Sequence, residues 1–171
     1  MKTKLNYILV LFLSLFTACK KENSESSNVD LKNVEVKISY SENYSKFSLF
    51  MSMQVTNVNK KLESNFNFLG IESSQFVKTD ETIINRAEFD VIPLRNQTIK
   101  TSHPISSFGI FLTLPYDPEN KEKLSVNFDF YVEGNKTSSK KITISPSEIR
   151  VKGFVLFVND PSNLLESDSP Q

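Results

Sequence analysis

The single histidine is the side chain best suited to acid–base chemistry. His103 lies in Thr101-Ser102-His103-Pro104, a segment with the composition of a loop. A catalytic histidine needs a nucleophile and an orienting acid close in space. The sequence has no nucleophile-elbow, Gly-rich phosphate-binding or HExxH motif that would supply them. We therefore expect an exposed structural histidine and no enzyme, with a hydrolase using His103 as the remote alternative.

Acidic side chains cluster in three short stretches that we consider as calcium ligands. They are Asp80-Glu81, Asp117 to Glu119 and Asn159-Asp160. Calcium takes about six to eight oxygen ligands, and none of the stretches has the DxDxDG spacing of a calcium loop. Solvated turns are the expectation, and no metal or other cofactor is predicted. If a loop binds a ligand, its residues are Tyr116, Asp117, Glu119 and Asn120.

Exposed aromatic side chains are the platforms on which sugar rings stack. The chain has no Trp, but Tyr131 alternates with Asn127 and Asp129 on the expected wet face of a strand, and Tyr116 lies in a loop. A weak glycan site is conceivable at these tyrosines. An ordinary amphipathic tyrosine is the alternative for each.

Composition excludes several kinds of chemistry. The 171 residues carry 20 basic and 20 acidic groups, whereas a nucleic-acid-binding protein needs a basic face. One Cys and one His cannot form a Cys/His zinc site, and one Cys cannot close a disulfide within the chain. No nucleic-acid partner is predicted.

The N-terminus has the pattern of an export signal. Lys2 and Lys4 precede the apolar run LNYILVLFLSLF, which is 12 residues long, and then come Thr17, Ala18 and the single Cys19. A helix that spans a bilayer needs about 20 apolar residues, so the run fits the core of a signal peptide better than a membrane anchor.

Phe16-Thr17-Ala18-Cys19 resembles the lipobox of bacterial lipoproteins, in which an apolar residue and two small residues precede an invariant Cys. Phe16 stands where Leu is usual. The resemblance covers residues 1 to about 22 and implies that residues 1–18 are removed. It also implies that Cys19 carries covalent lipid, which would be the chain's link to a membrane.

The stretch that follows, KKENSESSNVD, is polar and Ser-rich and has the composition of a flexible tether. Lys20 is not the Asp that typically retains lipoproteins in the inner membrane, and Lys-Lys-Glu is similar to the export tags of surface-displayed lipoproteins. We expect the outer membrane, with surface exposure slightly favoured; a spacer without a sorting role is the alternative. Removal of residues 1–18 leaves 18 basic and 20 acidic groups, a formal charge of −2.

From Val34 onward apolar residues alternate with polar ones, as in strands with one buried face. The clearest runs are Val34–Tyr40, Phe47–Val55 and Leu124–Val132. Weaker strands are predicted at Asn65–Gly70, Phe76–Thr79, Ile83–Ile92, Phe108–Leu114, Lys140–Ser145 and Ile149–Val158. The pattern predicts an all-β, antiparallel two-sheet immunoglobulin-like sandwich of about seven to nine strands. A closed β-barrel is the alternative. The body also loosely resembles immunoglobulin-like domains of unknown function on Gram-negative envelope lipoproteins.

The predicted organisation is a leader (1–18), a lipidated N-terminus and tether (19–32), a sandwich (33–160) and a disordered tail (161–171). After Gly153, the segment Phe154 to Val158 is apolar at every position. It indicates either a bulge at Gly153 in a covered mid-sheet strand, which we favour, or an exposed patch that docks a partner.

The sequence therefore favours a lipid-anchored, non-enzymatic envelope protein that presents loops or a sheet edge to a protein or glycan partner. An inhibitor or protective lipoprotein that blocks an enzyme through a loop such as Pro115 to Asn120 is the alternative.

Overall fold

The structure, a computed structural model, describes residues 30–58, 61–72, 76–80, 86–148 and 150–170. Only the backbone is described for residues 76–80 and 170. The predicted leader, Cys19 and the linker as far as residue 29 lie outside the described residues. In the described ranges the chain is all-β, with one short 3₁₀ helix at Glu42–Lys46 and no α-helix.

The described residues form eleven strands. They are β1 (Val34–Tyr40), β2 (Phe50–Thr56), β3 (Phe68–Leu69), β4 (Phe76–Asp80), β5 (Arg86–Val91), β6 (Gln97–Thr101), β7 (Ser107–Thr113), β8 (Leu124–Val132), β9 (Asn135–Ile144), β10 (Arg150–Phe157) and β11 (Leu165–Pro170).

The strands form two antiparallel sheets that are not closed into a barrel. The five-stranded sheet has the order β3-β6-β1-β8-β9, and the six-stranded sheet has the order β11-β10-β7-β2-β5-β4. The predicted two-sheet sandwich is confirmed and the barrel alternative is wrong. The strand count exceeds the predicted seven to nine because β6 and β11 had not been recognised.

The hydrophobic core lies between the two sheets. In β1 the side chains of Val34, Val36, Ile38 and Tyr40 are buried, and β8 buries Leu124, Val126, Phe128, Phe130 and Val132 in the same alternation. The two strands pair directly, with Val34 opposite Val132 and Tyr40 opposite Val126. Because facing residues point to the same side of a sheet, the two alternating patterns form one continuous apolar surface.

The sandwich has two ends, which we call proximal and distal. The chain enters at the proximal end, where Lys32 pairs with Ile105 and the hairpin Glu133–Gly134 turns. The distal end carries the β1–β2 connection (41–49), the β5–β6 connection (92–96), the β7–β8 connection (114–123) and the described part of the β9–β10 connection (145–148).

The prediction of a disordered C-terminal tail is wrong for residues 165–170. They form β11, which pairs with β10 from Leu165 opposite Val155 to Pro170 opposite Arg150. None of the described side chains of β11, residues 165–169, belongs to the buried core, so no hydrophobic pattern marks the strand. The backbone ladder and the Arg150–Asp168 ion pair (3.0 Å) hold it.

The mid-sheet position predicted for residues 154–158 is correct, because β10 lies between β7 and β11. The predicted bulge at Gly153 is wrong, because the register runs through Gly153 without a shift on both sides. Phe154, Leu156 and Val158 face the core, whereas Val155 is half-buried and Phe157 is 36% exposed on the outer face. The segment is therefore covered on one face only.

Within the described ranges, no helix is long and apolar enough to cross a lipid bilayer.

Candidate functional site

The loop predicted to bind a ligand projects from the distal end, directly after β7. Tyr116 is 54% exposed, and the backbone NH of Asp117 donates to the Pro146 carbonyl at 2.8 Å. Asp117 Oδ1 accepts a hydrogen bond from the Glu119 NH (3.2 Å), and Asn120 Oδ1 accepts one from the Glu122 NH (2.9 Å). Two of the predicted ligand side chains therefore hold the loop's own backbone, which gives the loop a defined shape.

The four distal connections form one hydrogen-bonded unit. The contacts between them are Tyr44 Oη to the Pro93 carbonyl, Asn43 Nδ2 to the Lys123 carbonyl (3.1 Å), Lys46 Nζ to Glu122 Oε1 (2.8 Å) and Asp117 N to the Pro146 carbonyl (2.8 Å). The hydrogen bond from Lys46 holds the pKa of the Glu122 carboxyl below its ordinary value. These hydrogen bonds therefore fix the four connections relative to one another, and a partner at this end would contact one preformed surface.

Four of the eight large apolar side chains that are exposed in the described residues lie at the distal end. Phe50, Ile92, Leu94 and Tyr116 each leave more than half of their surface exposed. Phe50 begins β2, Ile92 and Leu94 lie just after β5, and Tyr116 lies just after β7. Large apolar side chains grouped on an exposed surface are typical of protein–protein contact sites.

Tyr131 lies on the outer face of the five-stranded sheet, on the same face of β8 as Asn127 and Asp129, as predicted. The Lys37 ammonium lies 4.6 Å from the centroid of its ring, within cation–π distance. That side of the ring is therefore occupied and is not a free stacking platform for a sugar.

The structure does not bring Tyr131 together with the Tyr116–Asn120 loop. The loop precedes Leu124 at the distal end of β8, whereas Tyr131 is seven residues further along the strand. At about 3.3 Å per residue the separation is about 23 Å. The predicted binding residues therefore belong to two different surfaces.

A shallow depression lies beside Tyr131, on the outer face where β6, β1 and β8 adjoin. Its volume is about 280 Å³, and its lining consists of Lys37, Ile38, Ser39, Asn96, Gln97, Thr98, Asn127 and Asp129. Sequence reasoning had noted Asn127 and Asp129 but had missed Ser39, Asn96 and Thr98. These neighbours could not be identified without strand β6, because Thr98 faces Lys37 only in the register of the β1–β6 pair.

The carboxylate of this depression is held by its neighbours on β9. Asp129 Oδ1 accepts hydrogen bonds from Lys136 Nζ (2.8 Å) and Ser139 Oγ. The bond from Lys136, and after it the bond from Ser139, lowers the pKa of Asp129. Asp129 therefore faces the depression as a fixed anion.

His103 lies at the proximal end, where its Nδ1 is 2.9 Å from Ser102 Oγ and its ring centroid is 6.4 Å from that of Phe66. Ser102 Oγ also accepts a hydrogen bond from the Asn67 NH, so it connects two loops. The contacts described for His103 include no carboxylate, so they do not assemble the triad that a hydrolase would need.

The acidic stretches do not converge in the described part of the chain. It contains no group of three or more His, Cys, Asp or Glu side chains that could hold a metal ion. Asp160 lies in the β10–β11 turn, where its Oδ1 accepts a hydrogen bond from Ser162 Oγ (3.1 Å). The side chains of Asp80 and Glu81 lie outside the described residues.

The fold defines an antiparallel two-sheet β-sandwich protein. No family model matches the sequence, and no curated protein matches it. The chain is similar to a crystal structure of a DUF4425 family protein from Bacteroides ovatus (TM-score 0.43, 8% identity), over 82% of this chain and 94% of that chain. It is also similar to a crystal structure of a DUF4425 domain of unknown function from Bacteroides vulgatus (0.44, 8%), over 82% and 97%. A third similar structure is the NMR structure of the calcium-bound form of a protein from Parabacteroides distasonis (0.44, 14%), over 72% and 88%.

Proposed function

We propose that this protein is a lipid-anchored bacterial envelope protein that holds a non-catalytic β-sandwich at a membrane as a binding module. The observation that carries the proposal is the position of the chain's only Cys, which follows Thr17 and Ala18 at the end of an apolar run. The acyl chains on Cys19 would anchor the protein, since each buried methylene contributes about 0.8 kcal/mol. The outer membrane is the proposed location.

The position of Cys19 relative to the two ends of the sandwich supports this role. Fourteen residues separate Cys19 from β1, and β1 begins at the proximal end. A lipid at Cys19 would therefore hold the proximal end toward the bilayer and leave the distal end facing outward. The distal end carries the exposed apolar side chains Phe50, Ile92, Leu94 and Tyr116.

The anchor is tested by replacing its thiol. Cys19→Ser should abolish metabolic labelling with palmitate and move the protein from the membrane fraction to the soluble fraction, because the thiol that would carry the lipid is gone. Thr17→Ser keeps a small residue before Cys19 and serves as the matched control, with labelling like that of the unchanged protein. Intact-mass measurement of native material that finds a free thiol, or residues 1–18 still attached, would contradict the anchor.

A second candidate function is inhibition of an enzyme through the β7–β8 connection. It is favoured by the exposed Tyr116 on a loop that is braced by the Asp117–Pro146 hydrogen bond. A loop fixed before binding loses little conformational freedom when it docks, which increases affinity.

Protein capture distinguishes the two candidates. Full-length protein in detergent should retain a partner that Tyr116→Ser loses, whereas Leu69→Ser, which changes an equally exposed apolar residue on β3, should keep it. If the captured partner is an enzyme whose turnover falls on binding, the protein is an inhibitor. Equal loss of capture in both variants would refute a specific distal surface.

A further inference from the structure

Most side chains that line the depression on the outer face of the five-stranded sheet are polar. Thr98, Lys37 and Asp129 form one row across β6, β1 and β8, and Ser39 and Asn127 form the next row. Ser39 and Thr98 are short, whereas Lys37 and Asp129 are longer. Asn96, at φ 56°, turns the chain at the rim. The space above the short side chains is therefore bordered on several sides by polar groups.

The donors and acceptors of the lining favour a ligand with many hydroxyl groups. The Asn96 and Asn127 amides and the Ser39 and Thr98 hydroxyls can each donate and accept hydrogen bonds. Asp129 adds an acceptor and Lys37 adds a donor. Adjacent ring hydroxyls of a sugar both donate and accept, so they can satisfy such a mixed set, whereas an apolar ligand would leave it unsatisfied.

The charges argue against an ionic ligand. Lys37 and Asp129 are the two charged residues of the lining, and they have opposite sign. Each has a partner on the sheet: Lys37 is 3.5 Å from Glu35, and Asp129 is 2.8 Å from Lys136. A single carboxylate falls short of what calcium requires. The lining thus provides no net charge to attract an anion or a cation.

The size indicates one ring rather than a larger molecule. Pockets for drug-sized ligands begin at about 300 Å³, and this depression has about 280 Å³. Because the depression is open and lies on the outer face of the sheet, neighbouring units of a longer chain could extend past it.

We infer that this depression binds a neutral hexopyranose unit of a glycan through Ser39, Thr98, Asn127 and Asp129. The inference deepens the proposed binding function, on which it rests, by assigning the partner's chemical class at this surface. Tyr131, under Lys37, borders the site and is not its stacking platform.

The test uses the full chain purified in detergent, applied to a printed array of neutral and acidic oligosaccharides and followed by calorimetric titration of the best-bound glycan. Neutral glycans should bind saturably. Asn127→Ala should weaken binding about tenfold, because it removes an amide of the lining that can donate and accept hydrogen bonds. Asp129→Asn, which keeps the side chain's size, should weaken it by a similar factor.

Thr143→Ala is the matched control, since Thr143 lies on the same face of β9 beyond the depression and should leave affinity unchanged. Melting curves establish that each variant is folded. The absence of neutral-glycan binding, preferential binding of acidic glycans, or equal affinity in all three variants would overturn the site. Glycan binding is measured on purified protein, whereas the lipid anchor is tested by palmitate labelling of Cys19. A negative result in one experiment therefore does not affect the other proposal.

Discussion

Phe154→Ala should lower the free energy of unfolding by about 3–5 kcal/mol, since it removes a fully buried ring and leaves a cavity. Phe154 is 1% exposed and packs edge-on against Phe128 (5.5 Å between centroids) and Phe130 (6.0 Å). Phe128 and Phe130 belong to β8 in the opposite sheet. Phe154 therefore packs across the interface between the two sheets.

Phe157→Ala is the matched control on the same strand. Phe157 points to the outer face and is 36% exposed, so the same truncation should cost about 1 kcal/mol or less. Thermal unfolding should then show a decrease in Tm of about 6–20 °C for Phe154→Ala and a much smaller one for Phe157→Ala. Equal decreases would mean that β10 does not face the core as described.

The strands that sequence predicted best are those whose inward positions are all apolar. β1 and β8 match their predicted bounds because each alternates without exception. β6 was missed because two of its three inward residues are polar, Gln97 and Thr101. β9 begins five residues before its predicted start, because its first half is polar on both faces and lies at the edge of the sheet. An alternating pattern of apolar and polar residues indicates a strand with one buried face. Strands that are held mainly by their backbone hydrogen bonds lack this pattern, so they are not predicted from it.

The candidate sites could be predicted only as far as they are local in sequence. The Tyr116–Asn120 loop was recognisable because its turn residues are consecutive. The depression was not, because Thr98, Ser39 and Asn127 come from three strands. They become neighbours only through the register of β6 and β8 on β1. The alternating pattern indicates which face of a strand each residue occupies, but not which residue it faces on a strand far away in the chain.

The sequence pattern at Gly153 marks a real structural feature, but the predicted cause, a bulge, is wrong. The change from an alternating to a fully apolar pattern at this residue suggested a bulge, but the ladder there is regular. The glycine is needed because β7 approaches closely: a Cβ on Gly153 would lie 2.1 Å from the Ile110 carbonyl oxygen and 2.8 Å from the Phe111 Cα. The Phe111 ring extends across the outer face from Gly153 toward Gly109, and Phe111 is only 3% exposed.

Gly153→Ala should therefore destabilise the protein by about 3 kcal/mol or more, at the upper end of what overpacking costs. The atoms that the new methyl group would meet include backbone atoms of β7, which cannot move without disturbing the β7–β10 ladder. Gly109→Ala is the matched control, because its closest contact is the Phe111 ring at 2.9 Å, and a side chain can shift. Denaturant unfolding should rank Gly153→Ala well below Gly109→Ala in stability. A Gly153→Ala variant within about 1 kcal/mol of the unchanged protein would show that β7 and β10 are further apart than described, since overpacking normally costs at least that much.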